Sequence, residues 1–526
     1  MEFFDTKEKT SLQQQQDQQL TPSTSSSFNE QSPLLLPGVN DAIIDAILDL
    51  EEQQQQQNQR DGIQDDDLLT DWEIVRFEWR QLAKLSVPMM IAGLLDVLPD
   101  MMLGVMTGHL SVANSTKYIA ALSLSSLFHA FIVDGIVNGF ASAMDTLCSQ
   151  AFGGSRLKEL WMFTQAGVVL YLMCLPLMSI VLLSGSSTLR MLGQDPEIAA
   201  ITGEILVAYA VAVPFAMAYA TMKSALQAQN IGVPFMVASL FAWIVSGAST
   251  YLLAYHTSLG IMGIAMSIPI SWIVKALVLA PMLLKNRVFV DAWPGWRLKE
   301  AFMLIPLISK LGFSSFFMVT SQMTAYICMS LLAGTLPNAS VMITANSIFA
   351  SLLNLSALCL TAFCVATAIR IGNSLGAGQA RRAALLSRVV LFSSLTISLV
   401  GMMVMGCVDT LYASSFTFDE SATHKASELI HKLLPLVPWT GVTFGLQGIF
   451  RACGKQMLCA QFNFAFLSAT GVPLGLLFAV HYDKGLVGLW TGHAVGLFLF
   501  VAAGIFWLHR LSWEKMTSDA KRNTSL

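Results

Sequence analysis

Gln150-Ala-Phe-Gly-Gly154 and Asn373-Ser-Leu-Gly-Ala377 stand about 224 residues apart, and each closes a long apolar stretch. Working outward, nearly the same offset pairs Gly108-His-Leu-Ser111 with Gly334-Thr-Leu-Pro337 and Pro214 with Pro438. It also pairs Leu226-Gln-Ala-Gln-Asn230 with Phe450-Arg-Ala-Cys-Gly454. The matched residues are glycines, prolines and polar groups in loops, so general apolarity does not explain them. Equivalent points are separated by six candidate spans of about 20 apolar residues each. Six is even, so both copies cross the membrane in the same sense, as parallel repeats related by an axis along its normal. The expected fold is an all-α membrane protein of twelve transmembrane helices, in two pseudo-symmetric six-helix lobes around a central cavity.

Composition agrees. Of 526 residues, 54% are hydrophobic and 12% charged, against roughly 25% charged in a soluble protein. That excludes a water-soluble enzyme, and a net charge of −4 offers no field for nucleic acid. The eight cysteines lie in or beside apolar runs without a CxxC pair, so neither a disulfide framework nor a metal site is expected. No cofactor is expected either.

The chain divides into a disordered polar leader (1–70), an interfacial helix (71–83), an N-lobe (84–284), an inter-lobe loop (285–302), a C-lobe (303–510) and a tail (511–526). Glutamine tracts and Asp65-Asp66-Asp67 in the leader are too polar to form a core. Within it Glu30-Gln-Ser-Pro-Leu34-Leu35 fits the acidic dileucine pattern read by sorting adaptors. Twenty basic residues fall in the even-numbered loops, the approach and the tail, and five in the odd-numbered loops. The leader, the inter-lobe loop, the tail and both termini are therefore expected to be cytoplasmic.

Ionisable residues at membrane depth are costly and are functional candidates by default. Asp96 lies mid-span, Asp100 one turn further on the same face, and Asp134 mid-span in the second helix. Two close carboxylates resist joint ionisation, which suits a proton-binding pair. Pro88 and Pro99 are expected to kink the first helix. Lys275, also mid-membrane, needs a partner, and pairing with a buried aspartate is favoured over snorkelling to the interface. Asp145, Gln150 and Gly153 sit at the end of the second span, where they read as anchors for the following loop.

At these residues the sequence resembles a known family. Asp145-Thr-Leu-Cys-Ser-Gln150-Ala-Phe-Gly153 is similar to the DTLCGQAFG signature of multidrug and toxin extrusion (MATE) transporters. Ser86-Val-Pro88, Gly108-His-Leu110 and Trp293-Pro-Gly-Trp-Arg-Leu-Lys-Glu-Ala-Phe302 follow the family's order. So do Leu336-Pro-Asn338, Arg370-Ile-Gly-Asn-Ser-Leu-Gly376-Ala-Gly378 and Arg451-Ala-Cys-Gly454. The likeness covers about residues 72–510. It implies an antiporter that expels small organic compounds in exchange for H⁺ or Na⁺. A monomer is expected, in a vacuolar or endolysosomal membrane, toward which the dileucine match leans, or in the plasma membrane.

One departure stands out. Where eukaryotic members usually carry acidic residues in the seventh and tenth spans, this chain has Gln322 and Thr440. With an offset of 226, Gln322 is the mate of Asp96 and Tyr326 the mate of Asp100. Coupling charge is thus expected in the first lobe, while Gln322, Tyr326, Thr440, Met101 and Phe317 line the substrate cavity. The rival readings are a flippase for lipids or lipid-linked sugars and a membrane-embedded enzyme. The latter lacks both GxGD and HExxH motifs.

Overall fold

Thr70 and Glu73 open the first helix with a reciprocal cap. The Thr70 amide donates to Glu73 Oε2 (2.9 Å), and the Glu73 amide donates to Thr70 Oγ1 (3.3 Å), closing two donors that a helix start leaves unpaired. The helix they start, α1 (Asp71–Leu110), runs for 40 residues without a break. At 1.5 Å per residue it is about 60 Å long, twice the hydrocarbon thickness of roughly 30 Å. Residues 71–83, expected as an interfacial helix leading into the membrane, are continuous with the first span and leave Trp72 and Trp79 exposed. Pro88 and Pro99 both lie inside this continuous helix.

The computed structural model describes residue 46 and residues 69–110, 115–416 and 420–524. The glutamine tracts and the Leu34-Leu35 motif lie outside the described residues. The body continues with α2 (Lys117–Gly153), α3 (Leu157–Leu183), α4 (Pro196–Gln227), α5 (Val233–Tyr255) and α6 (Ile261–Leu284). The second half holds α7 (Leu298–Ala333), α8 (Ala339–Gly376) and α9 (Ala380–Phe416). It ends with α10 (Thr423–Leu433 and Leu436–Ala452), α11 (Gln456–His481) and α12 (Gly485–His509). Eleven of the described helices are long and apolar enough to cross a membrane, and the two pieces of α10, bent by 62°, make a twelfth. Pro435 lies at that bend.

The segment between the halves is fastened rather than loose. Its short helix, Arg287–Ala292, is capped by Asn286. Trp161 Nε1 of α3 donates to Val288 O (3.1 Å), and Gln165 Nε2 donates to Gly295 O (2.7 Å). The tail forms α13 (Trp513–Thr524), which lies across the ends of α2, α8 and α9. Its Lys521 carbonyl accepts from Arg156 Nη1 (3.0 Å). The start of α1, the loops at 153–156 and 376–382, and α13 thus gather at one end of the bundle, which we term the basic end.

Buried apolar residues show how the halves meet. One cluster runs from Leu82 through the first lobe and takes in Ile308, Ile369, Leu386, Ile449 and Phe500 of the second. Much of the rest of the second lobe, including Met329, Phe349, Leu429 and Trp490, packs as a separate cluster, and Leu360, Cys364 and Phe444 form a small third one. Among the described residues, the lobes are joined near the basic end, while the far half of the second lobe keeps its own core.

Candidate functional site

The expected acidic residues can now be placed. Lys275 on α6 is buried, and its Nζ lies 2.8 Å from Asp96 Oδ1 on α1, whose side chain keeps 34% of its surface. The ammonium also sits 4.5 Å from the Trp272 ring centre and 5.9 Å from that of Tyr219, so an aromatic wall backs the pair. At Asp96 the structure therefore shows a cation as partner. The Asp100 side chain lies outside the described ones.

Asp134 ends a six-residue π-helical stretch, His129–Asp134, inside α2. Its Oδ2 lies 3.1 Å from His129 Nδ1. In π geometry residues five apart are turn neighbours, and such stretches recur at functional sites. His129 stacks against Tyr209 of α4 at 4.5 Å. Sequence reasoning passed over His129, although a histidine inside an apolar span and five residues from an aspartate was a visible signal.

The corresponding place in the second lobe is neutral. Gln322 on α7 is buried and its Oε1 accepts from Gln447 Nε2 of α10 (3.0 Å). Thr440, also buried, donates to Leu436 O within its own helix (3.3 Å). Tyr326, half-buried, packs its ring against His493 of α12 at 5.2 Å. Met101 and Phe317 are largely exposed, and Phe317 stacks on its neighbour Phe316 rather than on the Gln322 cluster.

The motif residues acquire partners that the sequence did not suggest. Asp145 Oδ1 accepts from Gln227 Nε2 (2.6 Å) at the end of α4. Gln150 Nε2 donates to Ala452 O of the other lobe (2.9 Å), and Thr146 Oγ1 donates to the Arg451 carbonyl (3.1 Å). Asn373, with its amide turned to satisfy both polar atoms, donates to Ala228 O (3.3 Å). Ala228 and Ala452 are themselves repeat mates, so the two contacts mirror each other. A Cβ at Gly153 would overlap the backbone of Asn373, and one at Gly376 would overlap that of Gln150. Each signature thus docks on the other one. Gln150, Thr146, Asn373, Gly153 and Gly376 thus join the two lobes, while Asp145 is bound within its own.

Glu78, 1% exposed, reinforces this closure. Its Oε2 accepts from Arg370 Nη2 (2.6 Å) and Nε (3.2 Å) of α8, and Arg382 Nε of α9 lies 2.7 Å from its Oε1. A first-lobe carboxylate therefore holds two second-lobe guanidinium groups. Among the described residues no group of His, Cys, Asp and Glu is arranged to hold a metal ion.

With this geometry in view, the comparison with known proteins is decisive. The MatE family model matches residues 88–252 and 314–477, once in each half. The chain belongs to the MATE family. Multidrug and toxin extrusion protein 1 of Danio rerio is 27% identical over 450 residues, covering 84% of this chain and 73% of that protein. Protein DETOXIFICATION 38 of Arabidopsis thaliana is 27% identical over 459 residues, covering 85% and 88%. Among solved structures, the eukaryotic MATE transporter AtDTX14 superposes with a TM-score of 0.78 at 21% identity, covering 86% of this chain and 100% of that one. This MATE protein is a multi-pass membrane transporter and not an enzyme. The match lends the flippase reading no support.

Proposed function

We propose that this protein is a secondary antiporter that exports small organic compounds in exchange for H⁺ or Na⁺, by alternating access. The observation that carries this reading is the Asp96–Lys275 pair, an ion pair held between α1 and α6 of one lobe. A proton on Asp96, or a Na⁺ displacing the ammonium, removes the attraction that joins these helices. Lys275 is then left as an unpaired charge in a low-dielectric site, a state costly enough to drive rearrangement. Asp134 and Asp100 extend the coupling region, while Gln322, Tyr326 and Thr440 offer neutral hydrogen bonds to the substrate. The basic end faces the cytoplasm, with both termini, and its closure gives the state open to the other side. The transporter works as a monomer in a vacuolar, endolysosomal or plasma membrane, with sorting adaptors engaging Leu34-Leu35.

Proteoliposomes test this directly. An imposed H⁺ or Na⁺ gradient is expected to drive uptake of ethidium, and Asp96→Asn to lower the gradient-driven rate by roughly tenfold or more, the scale of a lost buried charge pair. Uptake that ignores both gradients, or survives in Asp96→Asn, would overturn the reading.

A further inference from the structure

The second lobe lacks a carboxylate at Gln322, yet it buries an imidazole against Tyr326, one turn further along α7. His493, in the first half of α12, is fully buried, and among the described residues neither of its ring nitrogens has a hydrogen-bond partner. Its polar neighbours are satisfied. Trp490, one turn earlier, donates to Asn346 Oδ1 (2.9 Å), and Asn346 donates to Ser330 Oγ (3.2 Å). A structural histidine normally gives its N–H to a carbonyl or carboxylate, since unpaired buried polar atoms are destabilising. This one is instead held by rings, Tyr326 at 5.2 Å and Trp490 at 5.6 Å. Gly492 and Gly496 on either side bring α12 into backbone contact with α11, which fixes the helix behind the ring.

The helices are those that pair in the first lobe, although the repeat offset of 224 carries Lys275 to Leu499, six residues beyond His493. There the sixth helix carries Lys275 against Asp96 on the first helix. Here the sixth helix of the second half carries His493 against Tyr326 on its first, one turn from Gln322. We infer that His493 is a proton-binding group of the second lobe, and that Tyr326, half-buried and in ring contact with it, is the route by which the proton arrives. The inference rests on the antiport reading and adds a second titratable site to it.

Other charged groups on the helices packed against α12 are placed elsewhere. Lys310 lies more than four turns from Tyr326 on α7, about 24 Å along the helix, and Arg451 lies at the basic end of α10. Lys425, Lys432 and Glu428 pair with one another, and His431 pairs with Asp409. His481 ends α11 against Tyr482. Tyr326 is the titratable group in ring contact with His493.

Proton release on addition of ethidium to the purified transporter, in weakly buffered detergent, tests the inference. His493→Gln keeps a polar side chain of similar reach and is expected to lower the protons released per ethidium by half or more. Nitrogen-15 spectra of histidine-labelled wild-type protein provide a readout independent of that variant's folding. There a buried ring is expected to gain a proton as the pH is lowered, with a midpoint that moves on adding ethidium and in Tyr326→Phe. Unchanged release in His493→Gln, or a buried ring neutral throughout, overturns the inference alone. A wild-type protein that releases no proton overturns the inference and the H⁺ form of the antiport reading together, leaving Na⁺ exchange to the gradient test.

Discussion

In the first lobe α1 and α6 meet through a carboxylate and an ammonium; in the second, α7 meets α12 through a phenol and an imidazole and α10 through a pair of amides. Asp96 and Gln322 occupy equivalent places in the repeat, yet one carries a charge partner and the other a neutral hydrogen bond to Gln447. The architecture therefore does not require a charge at this site. What differs is the cost of disturbing it, since an unpaired buried ion is far more expensive than an unpaired amide.

The largest effect is expected where the lobes join. Glu78→Gln leaves Arg370 and Arg382 buried without their counter-charge, and should destabilise the protein by about 3–5 kcal/mol. Thermal melting in detergent will read this as a lowered Tm, and cysteine labelling at the basic end as increased access. Next comes the first lobe. Lys275→Ala is expected to cost about 2–3 kcal/mol, less than for a fully buried pair because Asp96 keeps part of its surface. Adding Asp96→Ala to Lys275→Ala should return part of that loss, so the double variant melts above the sum of the singles. Smallest is the second lobe. Gln447→Leu strips the Gln322 amide of its partner at a cost of about 1–2 kcal/mol, and Gln322→Leu with Gln447→Leu should come close to neutral. Equal melting shifts for Lys275→Ala and Gln447→Leu would erase the distinction between the lobes.

Much of the architecture was legible in the sequence because its signals are local. Span number follows from the length of apolar runs, and the duplication from short loop motifs such as Gln150–Gly154 and its mate Asn373–Ala377. The pairing of Lys275 with an aspartate was also legible, since a mid-membrane ammonium demands one. What escaped was long-range. Nothing near Gly153 announces Asn373 as its neighbour, because that contact exists only once two lobes have folded and docked. Glu78 was overlooked for a similar reason: outside any apolar span it reads as solvated, and only the arrival of α8 and α9 buries it. His129 and His493 were missed because a histidine disturbs an apolar pattern less than an aspartate does.

Gly153 and Gly376 carry one more consequence. Each repeat supplies both a glycine and the backbone that the other repeat's glycine must clear, so neither signature can change by itself. A bulkier residue on one side forces an accommodation on the opposite side, hundreds of residues away in the chain. Duplicated halves are usually free to drift apart once each has found its own role, as Asp96 and Gln322 have. At this seam they remain bound to a common history, and a substitution there is inherited, in effect, by both.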